Sequence, residues 1–198
     1  SSDWIVFLES DDVLAPDYLA KKVEIAQKYN DINLIFNDCE FFGDEERVKA
    51  FEHALKKTRS LLQNQSYPKK MLYDFYQSNK IFTFSSVMAK RSHLLKVNFN
   101  PKLDYLIDWH LWIQLSSLGK FYYLPEKLTK WRLHKNSYIN SSTYKSPFDL
   151  QAASYIEVFK SKKDIGILLF ILISHPLWYA RKYKRELRQK LCLLYTSD

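Results

Sequence analysis

The sequence predicts a three-layer α/β/α domain with an open sheet over residues 1–146, followed by a helical segment over residues 147–191. Two observations indicate this fold class. Short apolar runs alternate with segments of helical spacing, which is typical of α/β layers, and carboxylates cluster where the first apolar run ends. The chain has 198 residues, 46% hydrophobic and 16% aromatic, which is enough for one folded domain and argues against disorder.

The order of the predicted elements along the chain supports this fold class. Short apolar runs predict five strands, at Trp4–Leu8, Ile32–Phe36, Ile81–Ala89, Phe121–Leu124 and Leu128–Leu133. Apolar residues at helical spacing predict three helices, at Asp17–Tyr29, Met71–Gln77 and Asp108–Leu118. The charged segment Asp44–Asn64 also places its apolar residues on one helical face, which predicts an amphipathic helix lying over the sheet.

Three carboxylates follow the first predicted strand directly. Glu9, Asp11 and Asp12 lie beyond the carboxyl end of Trp4–Leu8, where open α/β sheets bind their ligands. Carboxylates crowded there repel one another unless a cation neutralises them, and such hard oxygen ligands suit Mg²⁺ or Mn²⁺ that also coordinates substrate phosphates. The motif therefore predicts a metal–diphosphate site. The alternative is that Asp11 and Asp12 only stabilise the following turn.

Two blocks of the sequence resemble the family 2 glycosyltransferases, which are inverting enzymes of GT-A fold that use nucleotide sugars. Phe7–Asp12, followed by Pro16-Asp17-Tyr18, is similar to the acidic signature of the family. Ile107–Leu115, followed by Gly119 and Tyr123–Glu126, is similar to its second acidic motif, and Trp131–His134 to its basic segment. Phe84–Met88 matches the strand between the blocks, so the resemblance covers residues 3–140 in the family's order.

The resemblance implies roles for the acidic residues. Asp11 would bind Mn²⁺ or Mg²⁺ and bridge it to the donor diphosphate, and Asp12 would support the metal or the ribose. Glu9 stands where the family usually has Asp and would contact the ribose. Asp108 is the candidate general base, and Ile107 precedes it where the family often has a second acid. The alternative for Asp108 is a purely structural N-cap of the following helix.

Aromatic and basic residues near these motifs are candidates for substrate contacts. Trp109 would stack on an acceptor sugar or pack in the core, whereas Trp112 is expected in the core. Arg132 and His134 alternate along a predicted strand and so share one face. By resemblance they would lie near the diphosphate or the acceptor. The alternative is a basic strand on the surface.

The C-terminal segment has a different composition. Ile165–Ile173 is almost wholly apolar but shorter than the ~20 residues that span a bilayer. The aromatic segment His175–Tyr179 and the basic segment Arg181–Arg188 follow it, which predicts an element lying on an anionic membrane surface. A core helix with a solvated basic tail is the alternative. Cys192–Asp198 resembles a translated sequencing adapter, with an ordinary C-terminal peptide as the alternative.

These observations predict transfer of a sugar from a nucleotide-sugar donor to a glycan or lipid-linked acceptor during bacterial envelope polysaccharide synthesis. The family's N-terminal nucleotide-binding half is absent from the sequence, so we expect an internal or C-terminal fragment that is inactive alone. Cys39 and Cys192 are too few for a disulfide framework, which favours a cytoplasmic setting, with or without attachment to the inner face of the membrane.

Parts of the sequence are compatible with two other function classes. A catalytically dead relative that acts as a scaffold is one alternative. A nucleic-acid-binding domain is the other, suggested by a pI of about 9.3 and 14 tyrosines. The aromatic residues are spread through apolar runs and do not alternate with basic residues on one face, as stacking platforms for bases require. No nucleic-acid partner is therefore expected.

Overall fold

The computed structural model describes most of the chain as two compact units, residues 1–142 and 143–198. The described residues are 2–76, 78–100, 106–135, 147–174, 176, 177, 179, 180 and 183. The predicted boundary after residue 146 lies at the end of the stretch 136–146, outside the described residues, and stays a prediction. Residues 192–198 also lie outside them.

A five-stranded mixed sheet forms the centre of the first unit. Its strands are β1 (Trp4–Val6), β2 (Val13–Leu14), β3 (Ile32–Gly43), β4 (Val87–Lys90) and β5 (Lys120–Leu133), in the spatial order β1-β4-β3-β5-β2. Only the β3–β5 pair is parallel, and the other three pairs are antiparallel. The helices of this unit are α1 (Tyr18–Lys28), α2 (Glu45–Gln63), α3 (Arg91–Leu94) and α4 (Ile107–Ser116).

The predicted α/β class is confirmed, and three of the four helical segments are found close to their predicted bounds. The segment Met71–Gln77 is wrong as an α-helix, because the chain forms a 3₁₀ turn at Leu72–Tyr76. The segment Ile81–Ala89 is strand only in β4, and a 3₁₀ turn at Phe84–Ser86 precedes it. The Thr83 hydroxyl accepts a hydrogen bond from the Ser85 N–H and so caps that turn.

Strand β3 is much longer than predicted because its buried polar side chains find partners. The two predicted strands Phe121–Leu124 and Leu128–Leu133 form the single strand β5. Asn37 and Asp38 interrupt the apolar run, which ended the predicted strand at Phe36. In the structure the Asn37 amide donates to Thr129 Oγ1 at 3.0 Å, and Arg59 Nε of α2 donates to Asp38 Oδ1 at 2.8 Å. The strand therefore continues to Gly43, paired along its length with β5.

Helix α1 packs on the sheet through a cluster of buried apolar side chains. Tyr18 at its start is 1% exposed and lies with Ile35 of β3, Met88 of β4 and Leu124 of β5 in one cluster. Burying such side chains stabilises the unit by about 1.5–3 kcal/mol each. This packing fixes the start of α1, and with it the loop that joins α1 to β1.

The second unit contains helix α5 (Pro147–Lys162) and a helical segment at residues 165–174. Tyr155 and Val158 of α5 are buried, as are Ile167 and Ile171 of the second segment. The rings of Tyr155 and Phe170 lie 5.2 Å apart, centroid to centroid. Among the described residues, no helix has the length and apolar character needed to cross a membrane.

Gly43→Ala is expected to lower the free energy of unfolding by about 1–3 kcal/mol, because the backbone conformation there is strained for any other residue. Gly43 has φ +112°, and a Cβ would lie 2.4 Å from the Leu133 carbonyl oxygen. Gly119→Ala is the comparison variant, since Gly119 does not have a left-handed φ and its Cβ would come within 3.0 Å of the buried Asn33 side chain and not of a backbone carbonyl. Urea unfolding compares the two variants with the unchanged chain. An unfolding midpoint of Gly43→Ala equal to that of the unchanged chain would contradict the predicted backbone strain.

Candidate active site

The three carboxylates lie in a loop, residues 7–12, that follows β1 and is called the acidic loop below. Its first residue, Phe7, anchors it to the core. The Phe7 N–H donates to the Val87 carbonyl at 3.3 Å, and its ring packs against Phe84 and Trp112 with centroids 5.4 and 6.1 Å apart. The loop then turns, with the Asp12 N–H donating to the Glu9 carbonyl at 3.3 Å. The predicted position beyond the first strand is therefore observed.

Thr83 and Ser85 of the neighbouring 3₁₀ turn hold the acidic loop. Thr83 Oγ1 lies 2.6 Å from Glu9 Oε2 and 3.0 Å from Asp12 Oδ2. Ser85 Oγ accepts the Glu9 backbone N–H at 2.9 Å. One hydroxyl has one proton, so Thr83 donates to one of the two carboxylates at a time. The two carboxylates are thereby held around a single hydroxyl group.

The environment of Glu9 disfavours its charged form. Burial raises the pKa of Glu9 above its usual value, and the negative charges of Asp12 and Asp11 add to the shift. The hydrogen bond from Thr83 opposes it. A nearby cation would therefore stabilise the charged carboxylates of the acidic loop. This is the reason for the metal site predicted from the sequence.

The end of β5 brings the predicted basic residues to the acidic loop. The Arg132 backbone N–H donates to Asp12 Oδ1 at 3.1 Å, and Arg132 Nε donates to the Asp11 carbonyl at 3.2 Å. His134 Nε2 lies 3.2 Å from Asp11 Oδ2, with both side chains about two fifths exposed. The short strand β2 pairs with β5 just before these residues, at Val13↔Lys130. That pairing places Arg132 and His134 beside the carboxylates.

Asp108 lies in the first turn of α4 and is held by Asn79. Asn79 Nδ2 donates to Asp108 Oδ2 at 2.5 Å, while Asn79 Oδ1 accepts the Ile81 N–H at 3.0 Å. The N-cap residue of α4 is Leu106, in the left-handed region with φ 55°, so the interpretation of Asp108 as the N-cap is wrong. Its carboxylate is instead held by a side chain from another part of the chain.

The pKa of Asp108 is raised to about 6, principally by burial. The charge of Glu9 raises it further, whereas the Trp109 backbone N–H and the Asn79 amide favour the ionised form and lower it. Glu9 of the acidic loop is thus one of the smaller contributions to the pKa of Asp108. A carboxyl group with this pKa is ionised at neutral pH and still a stronger base than an ordinary aspartate.

Both tryptophans of α4 are in the core. Trp112 is fully buried, as expected, and Trp109 is 7% exposed. Trp109 Nε1 donates to the Phe75 carbonyl at 3.0 Å, which fastens α4 to the 3₁₀ turn Leu72–Tyr76. Of the two interpretations of Trp109, this burial favours core packing over an open surface for a sugar ring.

Lys22 of α1 supports the turn that carries Thr83 and Ser85. It is fully buried, and Nζ donates to the Ser86 carbonyl at 2.6 Å and to the Tyr18 hydroxyl at 2.9 Å. Burial lowers the pKa of Lys22 well below its usual value. No pattern in the sequence indicates this role, because Lys22 is one of several lysines in the chain and has no distinctive spacing. Its contacts join α1, the sheet and the 3₁₀ turn beneath the acidic loop.

The side-chain oxygens of the acidic loop are of the chemical type that Mg²⁺ and Mn²⁺ bind. Its side chains offer carboxylate oxygens, the hard ligands that both ions prefer, and the Asp11 side chain is about two fifths exposed. In the part of the chain that the structure describes, no group of three or more His, Cys, Asp or Glu side chains has the geometry of a metal site. An ion there would therefore take several of its ligands from substrate or water.

Comparison with known proteins supports a glycosyltransferase relationship. The chain is 25% identical over 152 residues to an uncharacterized glycosyltransferase of Haemophilus influenzae, covering 73% of this chain and 44% of that protein. It is 24% identical over 139 residues to an uncharacterized glycosyltransferase of Methanocaldococcus jannaschii, covering 69% and 44%. The chain thus spans less than half the length of these two relatives. No protein-family model matches it.

Asn79→Ala is expected to raise the pKa of Asp108 above about 6, because it removes a hydrogen bond that favours the ionised carboxylate. The fraction of ionised Asp108 near neutral pH then falls. Carbon-13 NMR titration of the Asp108 carboxyl measures this directly. Asn64→Ala is the matched control, since the Asn64 amide contacts only Ser60 of its own helix in the described structure. If the pKa of Asp108 is unchanged or lower in Asn79→Ala, then the Asn79 hydrogen bond does not stabilise the ionised carboxylate, which would contradict the structure.

Proposed function

We propose that the chain carries the donor-metal and acceptor parts of an inverting family 2 glycosyltransferase of GT-A fold. The observation that carries the proposal is the meeting of Arg132 and His134 with Asp11 and Asp12. The Arg132 backbone N–H contacts the Asp12 carboxylate, and the Arg132 side chain contacts the Asp11 backbone carbonyl. His134 contacts the Asp11 carboxylate, so residues from two distant sequence blocks meet in one cluster. The glycosyltransferase names of the two relatives support the same reaction class.

The acidic loop is the proposed donor side of the site. Asp11 and Asp12 would hold Mn²⁺ or Mg²⁺, and Glu9 would contact the ribose of the nucleotide. The bound ion supplies electrostatic stabilisation of the charge that grows on the departing diphosphate. The Arg132 side chain contacts the Asp11 backbone carbonyl and His134 contacts the Asp11 carboxylate, and both would add positive charge beside the leaving group.

Asp108 is the proposed base on the acceptor side. In an inverting transfer the acceptor hydroxyl oxygen bonds to the anomeric carbon from the face opposite the diphosphate, and the bond from that carbon to the phosphate oxygen breaks. The hydroxyl proton passes to Asp108, a contribution of typically ~10²–10⁴-fold in rate. A pKa of about 6 suits this task, because the carboxylate is ionised at neutral pH and accepts a proton readily.

The chain spans less than half the length of its two relatives, so the donor and the acceptor of the whole protein are proposals. We propose a nucleotide sugar as donor and a glycan or lipid-linked acceptor in envelope polysaccharide synthesis, on the cytoplasmic side of the membrane. Trp109 is left out of the acceptor contacts because it is buried.

Asp108→Asn in the complete protein is expected to lower the rate of sugar transfer by about 10²-fold or more and to leave donor affinity nearly unchanged, because only proton acceptance is lost. Steady-state kinetics with the natural acceptor separates the two effects. Asp31→Asn is the matched control, since Asp31 is an exposed aspartate paired with Lys120 at 2.6 Å. Comparable turnover by Asp108→Asn would remove Asp108 from the mechanism.

A further inference from the structure

The helical segment at residues 165–174 is apolar on two opposite sides, and only one of them is covered. Ile167 and Ile171 are buried, at 4% and 8% exposure. Ile165, Leu169, Leu172 and Ile173 are 71%, 53%, 61% and 71% exposed, and they are called the outer face below. A helix that is apolar all round is normally buried all round, so this exposure calls for an explanation.

The spacing of the outer face shows that it is one continuous surface. Its members follow one another at i, i+4, i+7 and i+8, which places them on one side of an α-helix. The two buried residues lie at i+2 and i+6, on the opposite side. The inner side already packs with α5, where Tyr155 is buried and its ring lies 5.2 Å from that of Phe170. The outer face is therefore not the side that forms the core of this unit.

Exposed apolar and aromatic side chains and then a basic segment follow this face along the chain. Leu177 is 51% exposed, and the aromatic residues Tyr179 and Tyr183 are 58% and 66% exposed. The sequence Arg181–Arg188 contains five Lys and Arg residues and one Glu. Aromatic residues at the polar–apolar boundary next to basic residues are typical of helices that lie in a membrane interface.

We propose that the outer face docks onto an anionic membrane surface. Its apolar side chains would enter the boundary between headgroups and acyl chains, with the helix axis in the plane of the interface. The five Lys and Arg residues in the sequence 181–188 carry positive charge that attracts anionic lipids, which favours this occupant over an apolar protein surface. The proposal concerns the second unit alone and does not depend on sugar transfer.

Vesicle flotation of the whole chain tests the proposal. We expect stronger binding to phosphatidylcholine vesicles that contain phosphatidylglycerol than to phosphatidylcholine alone, and a decrease in binding when salt is added, because the attraction is partly electrostatic. The variant Leu169→Glu with Ile173→Glu should lower binding about tenfold or more. Leu95→Glu is the matched control, since Leu95 is 76% exposed in the first unit, and it should bind as the unchanged chain does.

Circular dichroism of each variant checks that the helices are retained. A second variant, Arg181→Gln with Lys182→Gln and Arg185→Gln, leaves the outer face intact and should remove the preference for phosphatidylglycerol. Absence of vesicle binding by the unchanged chain, or equal binding by Leu169→Glu with Ile173→Glu, would overturn the proposal. So would a dimer in sedimentation that the same variant dissociates, because a second copy would then cover the outer face.

Discussion

Three carboxylates in one short loop repel one another, and the first unit supplies a hydrogen-bond donor or a basic side chain to each of them. Thr83 lies between Glu9 and Asp12, and the end of β5 contacts Asp11 and Asp12. These donors and basic side chains oppose the repulsion between the carboxylates, none of which is fully buried. Their contacts join the loop, the 3₁₀ turn and β5 to one another.

Several buried polar groups in the sheet beneath the loop also have specific partners. Asp38 in β3 is paired with Arg59 of α2, whose guanidinium also contacts Glu52 and the Cys39 carbonyl. Lys22 donates to the Ser86 carbonyl of the 3₁₀ turn. Buried polar groups with specific partners accept few alternative arrangements. The Lys22 contact thereby helps to fix the turn whose residues Thr83 and Ser85 contact the acidic loop.

Much of this fold could be predicted from local patterns, and the parts that could not depend on contacts between distant residues. Helices α1 and α2 follow from apolar spacing, and the acidic loop from its position after an apolar run. The predicted β3 is too short because the polar residues Asn37 and Asp38 interrupt the apolar run, and the sequence does not indicate their hydrogen-bond partners. Thr83 and Asn79 carry no signal of their own, since only the fold brings them to the carboxylates.

The proposed role of the acidic loop is to bind the metal ion that is used in transfer of a sugar from a nucleotide. The most direct measurement is nucleoside diphosphate release by the complete protein from a panel of nucleotide sugars, with membrane lipid extract as the source of acceptor, in Mn²⁺ and in chelator. The account predicts release from one donor that Mn²⁺ supports and chelator abolishes. Release unaffected by the chelator, or none from any donor by the folded protein, would contradict it.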